Sequence, residues 1–214
     1  MVRRKIAYRN FLFAFIAALV LFLSGLFTGQ QLTSWQVENI KRFEEDLRTS
    51  LTSLELRQTL LKQNICGISD LGQFSAELSD LGKQLANLES RYGKGDNRIL
   101  ELKEPYFLLE IRHYLLMQEA ASRCGRDFDL ILYFYSNDPK QCEECDNQGY
   151  ILSYLQEKLG YDQVKMYSFD IRSSSPAVQT LVELHHVKNA PLTVVNGVRY
   201  DKFIALEEIE KLLS

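Results

Sequence analysis

The stretch LILYFYSNDPKQCEEC, residues 130–145, joins a short apolar run to a pair of cysteines. The run LILYFY (130–135) is rich in residues that favour β-structure, and it predicts a buried strand. Two residues separate Cys142 from Cys145, and a helical pattern follows them as far as Gly160. Such a pair can be a redox couple, half of a zinc site, or a coincidence of spacing. The surrounding pattern is needed to choose among the three.

The sequence beyond the pair predicts alternating strands and helices. VKMYSFDI (164–171) predicts a second strand, and the Ser-Pro step at 175–176 predicts a capped helix start. LTVVNGVRY (192–200) predicts two strands joined by an Asn-Gly hairpin turn. A short amphipathic helix over 206–213 closes the chain. The predicted order is β-α-β-α-β-β-α.

This order, with a cysteine pair at the first strand-to-helix junction, resembles the thioredoxin-like family. The resemblance rests on Cys142-Glu-Glu-Cys145 and on Ala190-Pro191-Leu-Thr-Val-Val-Asn-Gly197, and it covers residues 128–214 of a domain predicted over 126–214. It implies an α/β thioredoxin-like fold and a thiol–disulfide oxidoreductase that needs no cofactor. Its partners would be protein thiols and disulfides.

The resemblance also implies residue roles. Cys142 would be the nucleophile at a helix start, where backbone N–H groups favour a thiolate. Cys145 would be the resolving thiol. Pro191 would follow a cis bond and present the backbone of Ala190 to an extended substrate segment.

Four positions around the pair give it a particular character. Gln141 stands where the family usually has tryptophan, and Tyr133 falls near the place of a buried acid. Glu143 and Glu144 suit a first helical turn, but they also disfavour a thiolate at the neighbouring Cys142. A less stable thiolate means a less stable reduced form, so we expect a couple on the reducing side.

The N-terminus predicts a membrane anchor. Residues 1–10 carry four basic side chains and no acid, and residues 11–29 carry no charge. Nineteen helical residues span about 28 Å, close to the thickness of the hydrocarbon core of a bilayer. Trp35 follows at the position of an interfacial indole. A cleaved signal peptide is the alternative. Under the positive-inside rule, the tail (1–10) is cytoplasmic, the span is 11–30, and the rest is extracytoplasmic.

Residues 31–125 predict an extracytoplasmic helical stalk. One helix is predicted over 34–61, and a second over 71–92 has apolar residues at three- and four-residue spacing, as in a coiled coil. A turn follows at 93–97, and the third helix is predicted to have Pro105 in its first turn. The seam at 71–92 is a candidate surface for pairing with another copy or a partner helix.

Cys66 and Cys124 form a candidate structural disulfide. If the second and third helices are antiparallel, the two cysteines converge at one end of the hairpin. Disulfides persist in an extracytoplasmic compartment. The alternative is two unrelated buried thiols.

Two other functions compete with the oxidoreductase. The first is a non-catalytic, membrane-tethered binding module in which the cysteine pair is a static bridge. The second is a copper- or zinc-handling protein that combines the pair with His185 and His186, although these histidines also suit the end of a surface helix. The net charge of −3, with basic and acidic residues interleaved beyond the N-terminus, argues against a nucleic-acid partner. We assign no metal.

Overall fold

The computed structural model describes residues 8–61, 66, 71–125 and 127–213. Most of the basic tail predicted over 1–10 lies outside the described residues. The helices in these ranges are α1 (Tyr8–Leu61), α2 (Leu71–Tyr92), α3 (Asn97–Cys124), α4 (Cys145–Leu159), α5 (Pro176–Leu184) and α6 (Leu206–Glu210). The strands are β1 (Asp129–Tyr135), β2 (Val164–Asp170), β3 (Leu192–Val195) and β4 (Val198–Tyr200). From β1 onward the elements follow the predicted order.

The N-terminal part of α1 is long and apolar enough to cross a membrane. The segment Phe11–Thr28 has 18 residues, a mean hydropathy of 2.5 and no buried side chain. At 1.5 Å per residue it is about 27 Å long. It belongs to the first of two compact units, Met1–Glu45; the second is Asp46–Ser214.

A small mixed sheet is the centre of the second unit. Its strand order is β2-β1-β3-β4. β1 and β2 are parallel, with Tyr133 opposite Ser168, and β3 is antiparallel to β1, with Thr193 opposite Tyr133. One face of β1 packs in a core with α4 and α6, and the buried residues of that core are Ile131, Tyr133, Leu152, Leu155, Val164, Ile204 and Ile209.

Helix α3 covers the edge strand β2 and the face of the sheet opposite α4. The ring of Phe107 lies 5.9 Å from that of Phe169. The Glu110 carboxylate accepts a hydrogen bond of 2.9 Å from the Ser168 backbone N–H, on an edge strand that would otherwise leave this donor unpaired. Helices α2 and α3 therefore belong to the same compact unit as the sheet, Asp46–Ser214. The boundary predicted at 125–126 does not divide this unit.

The apolar seam of α2 is buried within the same chain. Five of its side chains are at most 9% exposed: Phe74, Leu78, Leu81, Leu85 and Leu88. Helix α2 packs against α3. The surface predicted to pair with another copy is therefore already covered by this chain.

The predicted start of α3 was wrong. The helix begins at Asn97, with Asp96 as its N-cap accepting a hydrogen bond from the Arg98 N–H, so Pro105 lies inside it. Proline lacks the N–H of a helical hydrogen bond, but the buried residues on both sides of Pro105 hold this helix to its neighbours. The proline was misread as a boundary. Helix α1 likewise runs through residues 31–33, where the prediction left a gap.

Candidate functional site

The cysteine pair lies at the junction between β1 and α4. Cys145 is the first residue of α4, and Cys142 lies in the preceding loop. They form a disulfide with a Cα–Cα distance of 5.5 Å, and their exposed fractions are 8% and 3%. The first backbone N–H groups of a helix have no partner within the helix, and they make its start favourable for a negative charge.

Two groups from the end of β1 contact Cys145. The Ser136 backbone N–H donates to its Sγ at 3.4 Å, and the Tyr133 hydroxyl donates to its carbonyl oxygen at 2.6 Å. Burial raises the pKa of Tyr133, with a smaller contribution from Asp146, so the phenol stays protonated and remains a donor. Tyr133 therefore fixes the backbone of the helix start, and the N–H of Ser136 faces the sulfur that becomes a thiol on reduction.

The loop before Cys142 is fixed to the end of β2. The Cys142 N–H donates to the Asp138 carbonyl at 3.1 Å. The carboxylate of Asp138 accepts from the Lys140 N–H and forms an ion pair of 3.0 Å with Arg172. Asn137 donates to the Asp170 carboxylate at 3.0 Å. These bonds hold the nucleophile candidate in place through its backbone.

The α2–α3 turn reaches the same helix start. Lys94 in this turn forms an ion pair of 2.7 Å with Asp146, the residue after Cys145. Sequence reasoning missed this contact because the two residues are 52 positions apart and both look like ordinary surface charges. The turn sequence itself, Gly-Lys-Gly-Asp, carried no signal for it.

Ala190 and Pro191 lie at the same end of the sheet as the cysteine pair. Leu192 pairs with Phe134 in the antiparallel register, so the residues before it run alongside the end of β1 and the loop that starts at Ser136. The Ala190–Pro191 peptide bond is cis, and both residues are half-buried. The four residues that the sequence predicts for catalysis and substrate binding, which are the two cysteines, Ala190 and Pro191, therefore lie at the same end of the sheet.

The other cysteines lie elsewhere. Cys66 and Cys124 form a disulfide with a Cα–Cα distance of 5.3 Å. Cys66 precedes α2 and Cys124 ends α3, so the bridge closes the open end of the helical hairpin. Because α2 has 22 residues, about 33 Å of helix separates this bridge from the α2–α3 turn beside Asp146.

The two histidines are not gathered with the cysteines into a metal site. No group of three or more His, Cys, Asp or Glu side chains that could hold a metal ion occurs in the described part of the chain. The ring of His185 packs against Phe134 at 5.6 Å. Burial, with a smaller effect of Arg199, lowers the pKa of His185. His186 is exposed in a left-handed conformation, φ 50°, just past the end of α5.

Comparison with known proteins finds little that resembles this chain. No family model matches it. No curated protein matches it either. A solved structure described as "Structure of a malarial protein" is similar over 40% of this chain and 93% of its own, with 20% sequence identity and a TM-score of 0.34.

Proposed function

We propose that this chain is a membrane-anchored, extracytoplasmic thiol–disulfide oxidoreductase of the thioredoxin-like kind. The observation that carries the proposal is the Cys142–Cys145 disulfide at the start of α4, directly after β1. The strand order β2-β1-β3-β4 and the position of Pro191 at the same end of the sheet support it.

Electron transfer would proceed by two exchanges. In the reduced protein, the Cys142 thiolate attacks one sulfur of a substrate disulfide and expels the other as a thiolate, which takes up a proton. Cys145 then loses its proton and attacks Cys142 Sγ, which releases the second substrate thiol and closes the Cys142–Cys145 bond. The substrate gains two electrons and two protons. A protein dithiol outside the cytoplasm would restore the reduced pair by the reverse exchange.

The surroundings of the pair favour reduction of substrates. Glu143 and Glu144 are exposed next to Cys142, and their charges oppose a thiolate there. The helix start and the N–H of Ser136 act in the other direction. The two carboxylate charges decide our expectation of a reducing couple, since the helix start and the N–H carry only partial charges and Lys140 is a single exposed base.

A trapped mixed disulfide tests the proposal directly. In membranes, Cys145→Ser should accumulate covalent complexes through Cys142 that disappear on treatment with dithiothreitol, because the resolving thiol is missing. Cys142→Ser is the matched control and should trap none. The wild-type protein should also reduce insulin. Failure of both the trap and the insulin assay would contradict an oxidoreductase.

A non-catalytic tethered module is the second candidate. It is favoured by the low exposure of Cys142, 8%, since a nucleophile must be reached by its substrate. In that case the double variant Cys142→Ser, Cys145→Ser would retain the function of the protein in cells, whereas an oxidoreductase would lose it.

The same proposal includes an orientation. The segment Phe11–Thr28 would cross the membrane with the basic tail in the cytoplasm. Protease added to intact cells should remove a C-terminal epitope tag, and protease added only to the cytoplasmic side of inverted vesicles should leave it. The opposite pattern would reverse the orientation and remove the pair from a disulfide-permissive compartment.

A further inference from the structure

A surface groove lies beside the cysteine pair, on the side of the α2–α3 turn. Its volume is about 510 Å³, within the range of roughly 300–1,000 Å³ that ligand clefts have. One wall is the α2–α3 turn with the first turns of α3, and the other is formed by residues 137–139 and 172–174. Leu100 and the buried Phe107 give it an apolar part.

The groove is open and continuous with the candidate site. Lys94, Glu104 and Arg172 line it and are exposed. Asp138 also lines it, and the carbonyl of this residue accepts the hydrogen bond from the Cys142 N–H. A chain segment in the groove would therefore lie against the loop that carries the nucleophile candidate.

The basic side chains of the groove are already paired. Each one forms an ion pair with an acidic residue: Lys94 with Asp146, Lys103 with Glu89, and Arg172 with Asp138. Among the described residues, no basic side chain lies within ion-pair distance of the exposed Glu104, which also lines the groove. Asp170 lines it too, but this residue is buried, and its carboxylate already accepts hydrogen bonds from Asn137 and from the Arg172 N–H.

The rim adds more negative charge. Glu143 and Glu144 are exposed beside Cys142, and Lys140 is the exposed base in the same loop. The groove and its rim therefore carry an excess of negative charge that their own lysines and arginines do not neutralise. Complementary charge steers partners and selects among them.

We propose that this groove binds a basic, extended segment of the protein whose disulfide the cysteine pair exchanges. The inference rests on the proposed function for the identity of the partner. The apolar part of the groove takes the side chains of the segment, and Glu104 in the groove and Glu143 and Glu144 on its rim receive its lysines or arginines. The α2–α3 hairpin thus contributes to substrate selection as well as to the covering of β2.

Peptide binding to the full-length protein in detergent tests the groove without any redox step. The probe is a fluorescein-labelled peptide with arginines on both sides of a central serine, the serine standing for a substrate cysteine. The matched probe has glutamates instead. We expect the arginine peptide to bind roughly tenfold more tightly at low salt, since several exposed charge pairs each contribute a modest amount. The difference should shrink in high salt.

Glu104→Lys and Glu101→Lys separate the groove from the general surface charge. Both residues are exposed on α3, but Glu101 does not line the groove. Glu104→Lys should weaken binding of the arginine peptide roughly fivefold, and Glu101→Lys should leave it within twofold. Equal affinity of the wild-type protein for both peptides would overturn the proposal, as would equal losses in the two variants.

The insulin assay keeps the two proposals apart. If the protein reduces insulin but binds both peptides equally, the proposed redox function stands and the proposed binding groove is wrong. If the protein binds the arginine peptide more tightly through Glu104 but does not exchange disulfides, the groove is a site for basic segments and the proposed redox function is wrong.

Discussion

The Cys66–Cys124 bridge and the Cys142–Cys145 bridge differ in the loops they close and in their surroundings. The first spans 58 positions of sequence and the second spans three. Cys66 is exposed and Cys124 half-buried, at the open end of a helical hairpin, whereas both members of the short pair are buried where a strand meets a helix. A cross-link stabilises a fold chiefly by restricting the unfolded chain, and more so for a longer loop. The long bridge is therefore suited to stability, while the short one can be opened at little cost to the fold.

The largest expected effect is the difference in unfolding free energy that is lost when one bridge or the other is removed. Cys66→Ser, Cys124→Ser should lower the free energy of unfolding by about 4 kcal/mol, and Cys142→Ser, Cys145→Ser by only about 1.5 kcal/mol, from the loop lengths. Urea unfolding of the full-length protein in detergent, followed by the near-ultraviolet signal of its tyrosines, measures both. Similar losses in the two double variants would mean that the short bridge also holds the fold.

Low pH should reduce the stability of the fold through the packing of α3 on β2, and not through the surroundings of the cysteine pair. His113 on α3 shares a hydrogen bond of 2.8 Å with the Tyr167 hydroxyl. Burial lowers the pKa of His113 to about 3, with a smaller effect of Lys165. The folded protein thus binds this proton less readily than the unfolded chain, so the stability from the neutral ring is complete above about pH 6.5 and is lost as the pH falls towards 3. The loss at pH 4 relative to pH 7 should be about 3 kcal/mol.

His113→Gln isolates this effect because an amide can still bond to Tyr167 but does not titrate. The difference in unfolding free energy between variant and wild type should change by this amount between pH 7 and pH 4. Glu110, whose pKa burial raises, gives the opposite slope in both proteins and cancels. A difference that does not vary with pH would show that the pKa of His113 in the folded protein lies near its unfolded value, as for a solvated ring.

Much of the sheet domain could be predicted because its local signals agree. Aromatic and branched residues predicted β1 to within one residue, and Pro176 at the start of α5 and the Asn-Gly turn between β3 and β4 were read correctly. The helical hairpin was harder. Lys103 and Glu110 are at most 3% exposed, yet hydrophobic periodicity treats such residues as surface. Their burial depends on partners far along the chain, such as Ser168 for Glu110, so the docking of α3 on β2 was not predicted.

The candidate site likewise contains residues that the sequence predicted and contacts that it did not. Spacing and motif singled out Cys142, Cys145 and Pro191, which the fold brings to one edge of the sheet. The contacts of Ser136 with Cys145 and of Lys94 with Asp146 depend on three-dimensional proximity. No pattern of residue types marks them, because serine in a loop and lysine in a turn are ordinary.

Two glycine substitutions test smaller differences in packing between the helical hairpin and the sheet. A Cβ at Gly82 on α2 would lie 2.5 Å from the Tyr106 hydroxyl, in a buried contact between α2 and α3. A Cβ at Gly149 on α4 would make an ordinary contact of 3.5 Å with Tyr133. Alanine favours a helix over glycine by about 1 kcal/mol, but overpacking costs about 1–3 kcal/mol. Gly82→Ala should therefore lower the unfolding free energy by about 1 kcal/mol, and Gly149→Ala should raise it by up to about 1 kcal/mol, in the same urea experiment. A stabilising Gly82→Ala would show that Tyr106 moves aside freely.

The smallest expected effect concerns the electrostatics of the short bridge alone. Glu143→Gln, Glu144→Gln removes two carboxylates beside Cys142, which stabilises the thiolate and with it the reduced form. The reduction potential should become less negative by roughly 20 mV, since 30 mV corresponds to about 1.4 kcal/mol and exposed charges contribute less than that. Equilibration with glutathione buffers, followed by alkylation of free thiols, measures the shift. Glu157→Gln is the control: it lies twelve residues beyond Cys145, about 18 Å along α4, farther than a charge acts in physiological salt. A shift of the opposite sign would mean that the two glutamates act mainly on the helix start, and an equal shift in the control would mean that the effect is not local to the pair. Either result would remove the physical basis for expecting a reducing couple.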